Sequence, residues 1–222
     1  RLDLRIGPES LLAKCSSSVR RALRNAEKSS LEVKIEPSEA AMRQFVRLHT
    51  STRRRHGLPP QPYRFFQNIH DTLIQQQLGF VANAYRPNDG QPVASAVFLT
   101  FGNHAVYKFG ASDEQAWDLR PNNLTMWEGI KHLASSGFQS LHFGRTSPHQ
   151  DGLIRFKLSW GSQEERIDYH QYETHRHGWR SRTSESSDSE SSFASRLARG
   201  CFGHAPAALN RLAGKLLYPH LD

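Results

Sequence analysis

Four groups of side chains in this sequence have the types and spacing to handle negative charge. Lys157 stands in Phe156-Lys157-Leu158-Ser159-Trp160-Gly161. Aromatic neighbours there can bury its stem and leave the ammonium to donate to a phosphate or a developing oxyanion. The other use of such a lysine is to snorkel from an amphipathic helix. Trp160 is grouped with it as a substrate contact. Arg145 follows Leu141-His142-Phe143 across Gly144, which gives the backbone room to turn. At a strand's end its guanidinium can clamp a phosphate or carboxylate with two bonds, or form a structural salt bridge. Arg120-Pro121-Asn122-Asn123 marks a helix start, a natural anion site from which Pro121 withdraws one donor. Arg53-Arg54-Arg55-His56 closes another helix. There these four side chains, Arg54 and His56 foremost, either hold a diphosphate through side chains alone or neutralise the negative helix end.

Asp113, Glu114, Glu128, His142 and His149 are the titratable groups nearest these segments, and none is singled out as a base. No Gly-x-Ser-x-Gly elbow, Walker-type phosphate loop or His-Glu-x-x-His is present, so hydrolase, NTPase and metalloprotease readings have no motif behind them. Cys15 and Cys201 are too few for a disulfide scaffold, and no partner stands at zinc-ligand spacing, so no metal is expected.

Hydrophobic periodicity places these groups on elements. Ser16 to Ser18 cap a helix over Val19–Lys28, whose apolar positions are Val19, Leu23 and Ala26. Leu31, Val33 and Ile35 alternate with charges as a half-wet strand. Pro37 and Ser38 open a helix through Met42 and Phe45 to the cationic turn and Gly57. A proline-rich loop leads to a third helix over Tyr63–Gln77. Phe80–Tyr85, Pro92–Phe101 and Ala105–Ala111 read as an antiparallel meander, joined by turns at Pro87-Asn88-Asp89-Gly90 and Gly102-Asn103. A helix over Asn122–Ser136, a short strand at Ser140–Phe143, a helix over Asp151–Ser159 and a strand over Ile167–Tyr172 complete the order. This is an α+β layout, a mostly antiparallel sheet with one β-α-β crossover and helices on both faces.

The chain has 222 residues, 37% of them hydrophobic, and a formal charge of +8. Residues 1–56 hold 13 of its 29 Lys and Arg but 6 of its 21 acidic residues, a basic face suited to phosphates. A globular domain is expected over 1–178. A Ser-rich disordered linker follows over 179–192, and an amphipathic helical tail over 193–222. Leu209, Leu212, Leu216 and Leu217 share one face of that tail, which either packs back on the protein or touches a membrane surface. No stretch approaches the roughly 20 apolar residues of a membrane helix. The cytoplasm is the default compartment, and the start at Arg1 suggests a fragment of a longer chain.

Four segments together resemble the FemABX family and its GNAT-fold relatives. They are the basic helix Val19–Lys28 with its following strand, Leu48–Gly57 before the proline-rich loop, Leu119–Trp127, and Phe143-Gly144-Arg145 spaced before Phe156-Lys157. The closing Leu212–Tyr218 is similar as well. The resemblance implies a GNAT-like fold and transfer of an acyl or aminoacyl group to an amine of a cell-envelope or polysaccharide precursor. Amine attack makes a tetrahedral oxyanion and releases a proton. By resemblance Lys157 serves the donor side, and Arg120, Asn122 and Asn123 lie where such folds meet the CoA pyrophosphate. The usual glycine-rich turn is absent there, which moves weight from acyl-CoA toward aminoacyl-tRNA as donor. No tightly bound cofactor is implied. A preceding GNAT-like domain, tRNA and the envelope precursor are the implied partners. The other readings are a CoA-dependent N-acetyltransferase, and a non-catalytic nucleic-acid-binding or supporting half-domain.

Overall fold

The computed structural model describes residues 1–87, 90–174 and 177–182. The turn residues Asn88 and Asp89, and the linker and tail from residue 183 on, lie outside the described residues.

Strand β1 (Leu2–Asp3) and helix α1 (Gly7–Lys14) precede the first expected element. In α2 (Ser17–Lys28) the Ser16 hydroxyl accepts from the Val19 N–H, and Val19, Leu23 and Ala26 are buried. The apolar spacing therefore turns the arginines outward. β2 (Glu32–Glu36) leads to α3 (Glu39–Arg55), capped by Ser38 and stopped at Gly57, whose positive φ of 64° glycine accepts without strain. The expected third helix divides into α4 (Tyr63–Ile69) and a π turn over His70–Ile74. β3 (Gly79–Tyr85), β4 (Pro92–Phe101) and β5 (His104–Ser112) form the meander. A 3-10 turn (Glu114–Leu119) intervenes before α5 (Pro121–Ser135), β6 (Ser140–His142) and α6 (Asp151–Leu158).

The main sheet has the order β1-β6-β5-β4-β3-β2. Every pair is antiparallel except β5–β6, which the α5 crossover makes parallel. The expected last strand forms as β7 (Tyr169–Glu173) but pairs with β8 (Gly178–Arg182) in a separate two-stranded sheet. β8 covers residues 179–182, the first part of the expected linker.

Alternation along the strands builds two cores, one per face. Phe80, Ala82, Ala96, Phe98 and Ala105 pack against Leu11, Leu23, Met126, Trp127 and Ile130 of α1, α2 and α5. Val81, Val97 and Ala111 meet Ala41, Met42, Phe45 and Phe66 of α3 and α4. Each fully buried Phe contributes about 2–3 kcal/mol by leaving water. A register shift at Val97/Phe98 leaves Lys108 without an opposite number, so Phe98 faces Tyr107. That bulge brings Tyr107 and Gly110 onto one face, and a Cβ at Gly110 would collide with the Tyr107 hydroxyl. No helix among the described residues is long and apolar enough to cross a membrane.

Candidate functional site

The parallel strands β5 and β6 pair over His104–Val106 and Ser140–His142, three residues each. β6 then ends, while β5 runs on to Ser112. Among the described residues, the edge of β5 turned toward β6 therefore has no strand partner over Tyr107–Ala111. Main-chain donors and acceptors left there require partners, and an extended ligand can supply them. Both the loop after β6 and the turn before α5 lie past the carboxyl ends of these strands, where open α/β sheets bind ligands.

Lys157 guards the β6 side. Its Nζ donates to Gly144 O at 2.8 Å, Arg145 O at 3.2 Å and Thr146 Oγ1 at 2.5 Å. All three N–H groups are thus spent on the loop that carries the exposed Arg145. Two residues singled out separately in the sequence are thus brought together, through the Arg145 carbonyl. Partial burial lowers the Lys157 pKa from its ordinary value.

Trp160 is turned away from this loop. It is fully buried in the α1/α2/α5 core, so its ring packs instead of meeting substrate. Its carbonyl accepts weakly from Cys15 Sγ, and Ser16 N donates to Ser159 O at 2.8 Å. No residue of α6 is buried. Trp160 is therefore the anchor that fixes the helix bearing Lys157 against the α1–α2 junction.

On the other side, Arg120 is the exposed N-cap of α5 in the left-handed conformation, with φ 57°. The Asn123 N–H turns back to Arg120 O at 3.1 Å, and Asn122 uses its side chain on Ser112 Oγ at 2.9 Å. Ser112 is a buried hub that sequence reading missed. Its Oγ also accepts from Trp117 Nε1 at 3.0 Å, its carbonyl from Arg55 Nη1 at 3.4 Å, and its N–H reaches Thr52 Oγ1 at 3.3 Å. Nothing in the sequence marks a strand-end serine as a hub, although Asp113 does carry the N-cap signal that starts the 3-10 turn.

Within the cationic turn, Arg55 faces the sheet, with its guanidinium 4.8 Å from the centre of the Trp117 ring. Arg54 and His56, the predicted pair, are exposed. The neighbouring cleft, of about 240 Å³, lies between α3 and the start of β4. Gln44, Arg47, Ser51, Gln91 and Asp113 line it.

The titratable groups are dispersed. Asp113 caps Gln115 N, Glu128 pairs with Lys131 at 2.7 Å, and His149 is exposed. Burial lowers the pKa of His142, at the end of β6, which favours its neutral imidazole. Among the described residues no group of three His, Cys, Asp or Glu is placed to hold a metal.

A meander, a helical crossover to a parallel strand and an open edge beside it are the parts of an acyltransferase fold. The acetyltransferase (GNAT) domain model matches residues 13–158, and the chain belongs to that family. No curated protein matches the sequence. Among solved structures, FemX superposes with a TM-score of 0.66 at 17% identity, over 72% of this chain and 57% of the FemX chain. The chain thus spans little more than half of FemX. AAC(6')-Iy, in complex with the bisubstrate analogue CoA-S-monomethyl-acetylneamine, aligns with a TM-score of 0.50 at 12% identity, over 64% of this chain and 98% of that one. The C-terminal (DUF2156) domain of a putative lysylphosphatidylglycerol synthetase from Agrobacterium fabrum aligns with a TM-score of 0.47 at 15% identity, over 66% and 51% of the two chains.

Proposed function

We propose that this domain transfers an acyl or aminoacyl group to an amine of a cell-envelope or polysaccharide precursor, with the donor lying along the open edge of β5. The observation that carries the reading is the gap itself: five residues of β5, Tyr107–Ala111, with no strand partner on that side among the described residues, walled by the Lys157-held loop and by the start of α5. An activated carbonyl bound beside that edge is held in one orientation for the amine to attack. The amine nitrogen bonds to the carbonyl carbon, negative charge moves to the oxygen, and the thiol or ribose oxygen of the donor leaves. Lys157 fixes the loop, and it meets the oxyanion by exchanging its longest bond, to Arg145 O at 3.2 Å. The proton from the amine passes to water, to substrate phosphate or to neutral His142. The acceptor's phosphates fit the exposed Arg54, His56 and Arg145, with the cleft beside Arg47 for its remainder.

Aminoacyl-tRNA is the donor we favour, because Pro121 and the spent side chain of Asn122 leave few groups for a pyrophosphate. The second reading, a CoA-dependent N-acetyltransferase, is favoured by the CoA-linked analogue held by AAC(6')-Iy. A preceding domain and peripheral contact with the inner face of the membrane belong to the same proposal.

A thermal-shift comparison with acetyl-CoA, charged tRNA and a UDP- or lipid-diphosphate sugar precursor tests it, since a ligand that binds the native state raises the melting temperature. A rise with charged tRNA or the precursor supports the favoured reading. A rise with acetyl-CoA alone selects the second. No rise with any ligand refutes both and leaves a supporting half-domain.

A further inference from the structure

We propose that the open face of Trp117 is a stacking platform for the purine of a phosphorylated adenosine. That group ends both acyl-CoA and the 3′ terminus of an aminoacyl-tRNA, so the inference rests on the donor reading above.

Trp117 is 46% exposed although it sits in a short 3-10 turn between two core elements. Its orientation is fixed twice. The indole N–H donates to the buried Ser112 hydroxyl at 3.0 Å, and the Arg55 guanidinium covers one ring face at 4.8 Å. Arg55 is itself held by Ser112 O at 3.4 Å and by Glu114 Oε2 at 4.0 Å. One face of the indole is therefore covered, while nearly half of the residue stays open to solvent in a fixed orientation. A ring held in this way binds a flat partner with little further loss of freedom.

The position selects the partner. Ser112 Oγ also receives Asn122 Nδ2, so the ring stands at the start of α5, beside the exposed Arg120 and at the far end of the open β5 edge. A donor whose acyl end lies near Lys157 would bring its opposite end here. Asp113, Glu114 and Asp118 share the turn with Trp117. They make it a poor site for bare phosphate, so the ring meets the base, and the phosphates are left to Arg120.

The test is isothermal titration of the full chain and its Trp117→Leu and Trp117→Phe variants. Acetyl-CoA and a CCA-ended RNA minihelix are the complete ligands. Acetyl-4′-phosphopantetheine and a minihelix lacking its terminal adenosine are the truncated ones. Trp117→Leu should weaken whichever complete ligand the protein binds about tenfold, the loss of one base stack. Trp117→Phe should keep most of the affinity, and the truncated ligand should bind Trp117→Leu and the parent equally. The inference is overturned if Trp117→Leu binds the complete ligand as the parent does, or if the truncated ligand loses as much, as it would for a sugar or pantetheine contact. If the parent binds neither complete ligand, the donor reading fails and the platform with it. Should Trp117→Leu not fold, the indole N–H resonance of Trp117 in the parent decides: it shifts on adding the complete ligand and is unmoved by the truncated one. A resonance that ignores both overturns the inference.

Discussion

Gly129 offers the sharpest check on how α5 is seated. It lies in the middle of α5 against β4, and a Cβ built there falls 2.5 Å from Phe98 Cε2 and closer still to Cζ. Ordinary carbon contacts begin near 3.5 Å, so helix and ring must part by about an ångström. Phe98 cannot turn aside, because it is fully buried, stacked on Phe80 at 5.0 Å and tilted against Tyr107 at 5.7 Å. Such overpacking costs about 1–3 kcal/mol. In an exposed helix the same Gly→Ala change would stabilise by about 1 kcal/mol. The net expectation for Gly129→Ala is a loss of up to about 2 kcal/mol, a fall in melting temperature of up to roughly 8 °C for a chain of this size. Urea unfolding of Gly129→Ala, Phe98→Leu and the double variant completes the cycle. A smaller side chain at 98 should accept the new methyl, so the two losses should fail to add by about 1 kcal/mol or more. A more stable Gly129→Ala, or strictly additive losses, would refute the claim that the ring and the helix backbone are in fixed contact.

Three further outcomes follow from buried groups. His49 is packed among Phe45, Phe66 and Phe109, and burial lowers its pKa from 6.5 to about 4. The unfolded chain therefore takes a proton that the folded one refuses. Stability should be level above about pH 7 and fall by up to about 3 kcal/mol as the pH drops from 6.5 to 4. Urea midpoints across that range should flatten in His49→Leu, and a parallel decline would remove His49 as the cause. Cys15 is buried and its thiol is pushed up to about 11 by desolvation, so in a Cys201→Ser chain it should react with a disulfide reagent only at the rate of unfolding. Fast labelling under native conditions would contradict its placement. Ser112→Ala strips the acceptor from Trp117 Nε1 and Asn122 Nδ2 and should cost about 1–2 kcal/mol in urea. An unchanged midpoint would mean that water replaces the hydroxyl at no cost.

Elements written in local periodicity were legible. Val19, Leu23 and Ala26, and Ala41, Met42 and Phe45, are buried as their spacing implied, and the meander falls within a residue or two of its turns. β1 was not legible, because two residues carry no period and Leu2 becomes a strand only through its pairing with Leu141. The π turn after Ile69 leaves the apolar pattern of a helix intact, so it too was hidden. For the site, Arg145 and Lys157 were singled out separately, and their meeting through the loop carbonyls could not be read from the sequence. The burial of Trp160 and the inward turn of Arg55 were hidden for one reason. Whether a side chain points to the core or to the cleft depends on neighbours distant in sequence: Cys15 and Ser16 for Trp160, Ser112 for Arg55.

Ser112 is where two helices from opposite faces of the sheet are fastened to one residue: α3 through Thr52 and Arg55, α5 through Asn122. The cationic end of α3 borders the surface assigned to the acceptor, and the start of α5 borders that assigned to the donor. A displacement of either helix would have to break or carry a bond to the same residue. Thermodynamic reciprocity then requires that whatever factor the donor imposes on acceptor affinity, the acceptor imposes on the donor. On the proposed reading, the donor and acceptor surfaces meet at one shared hydroxyl and the main chain around it.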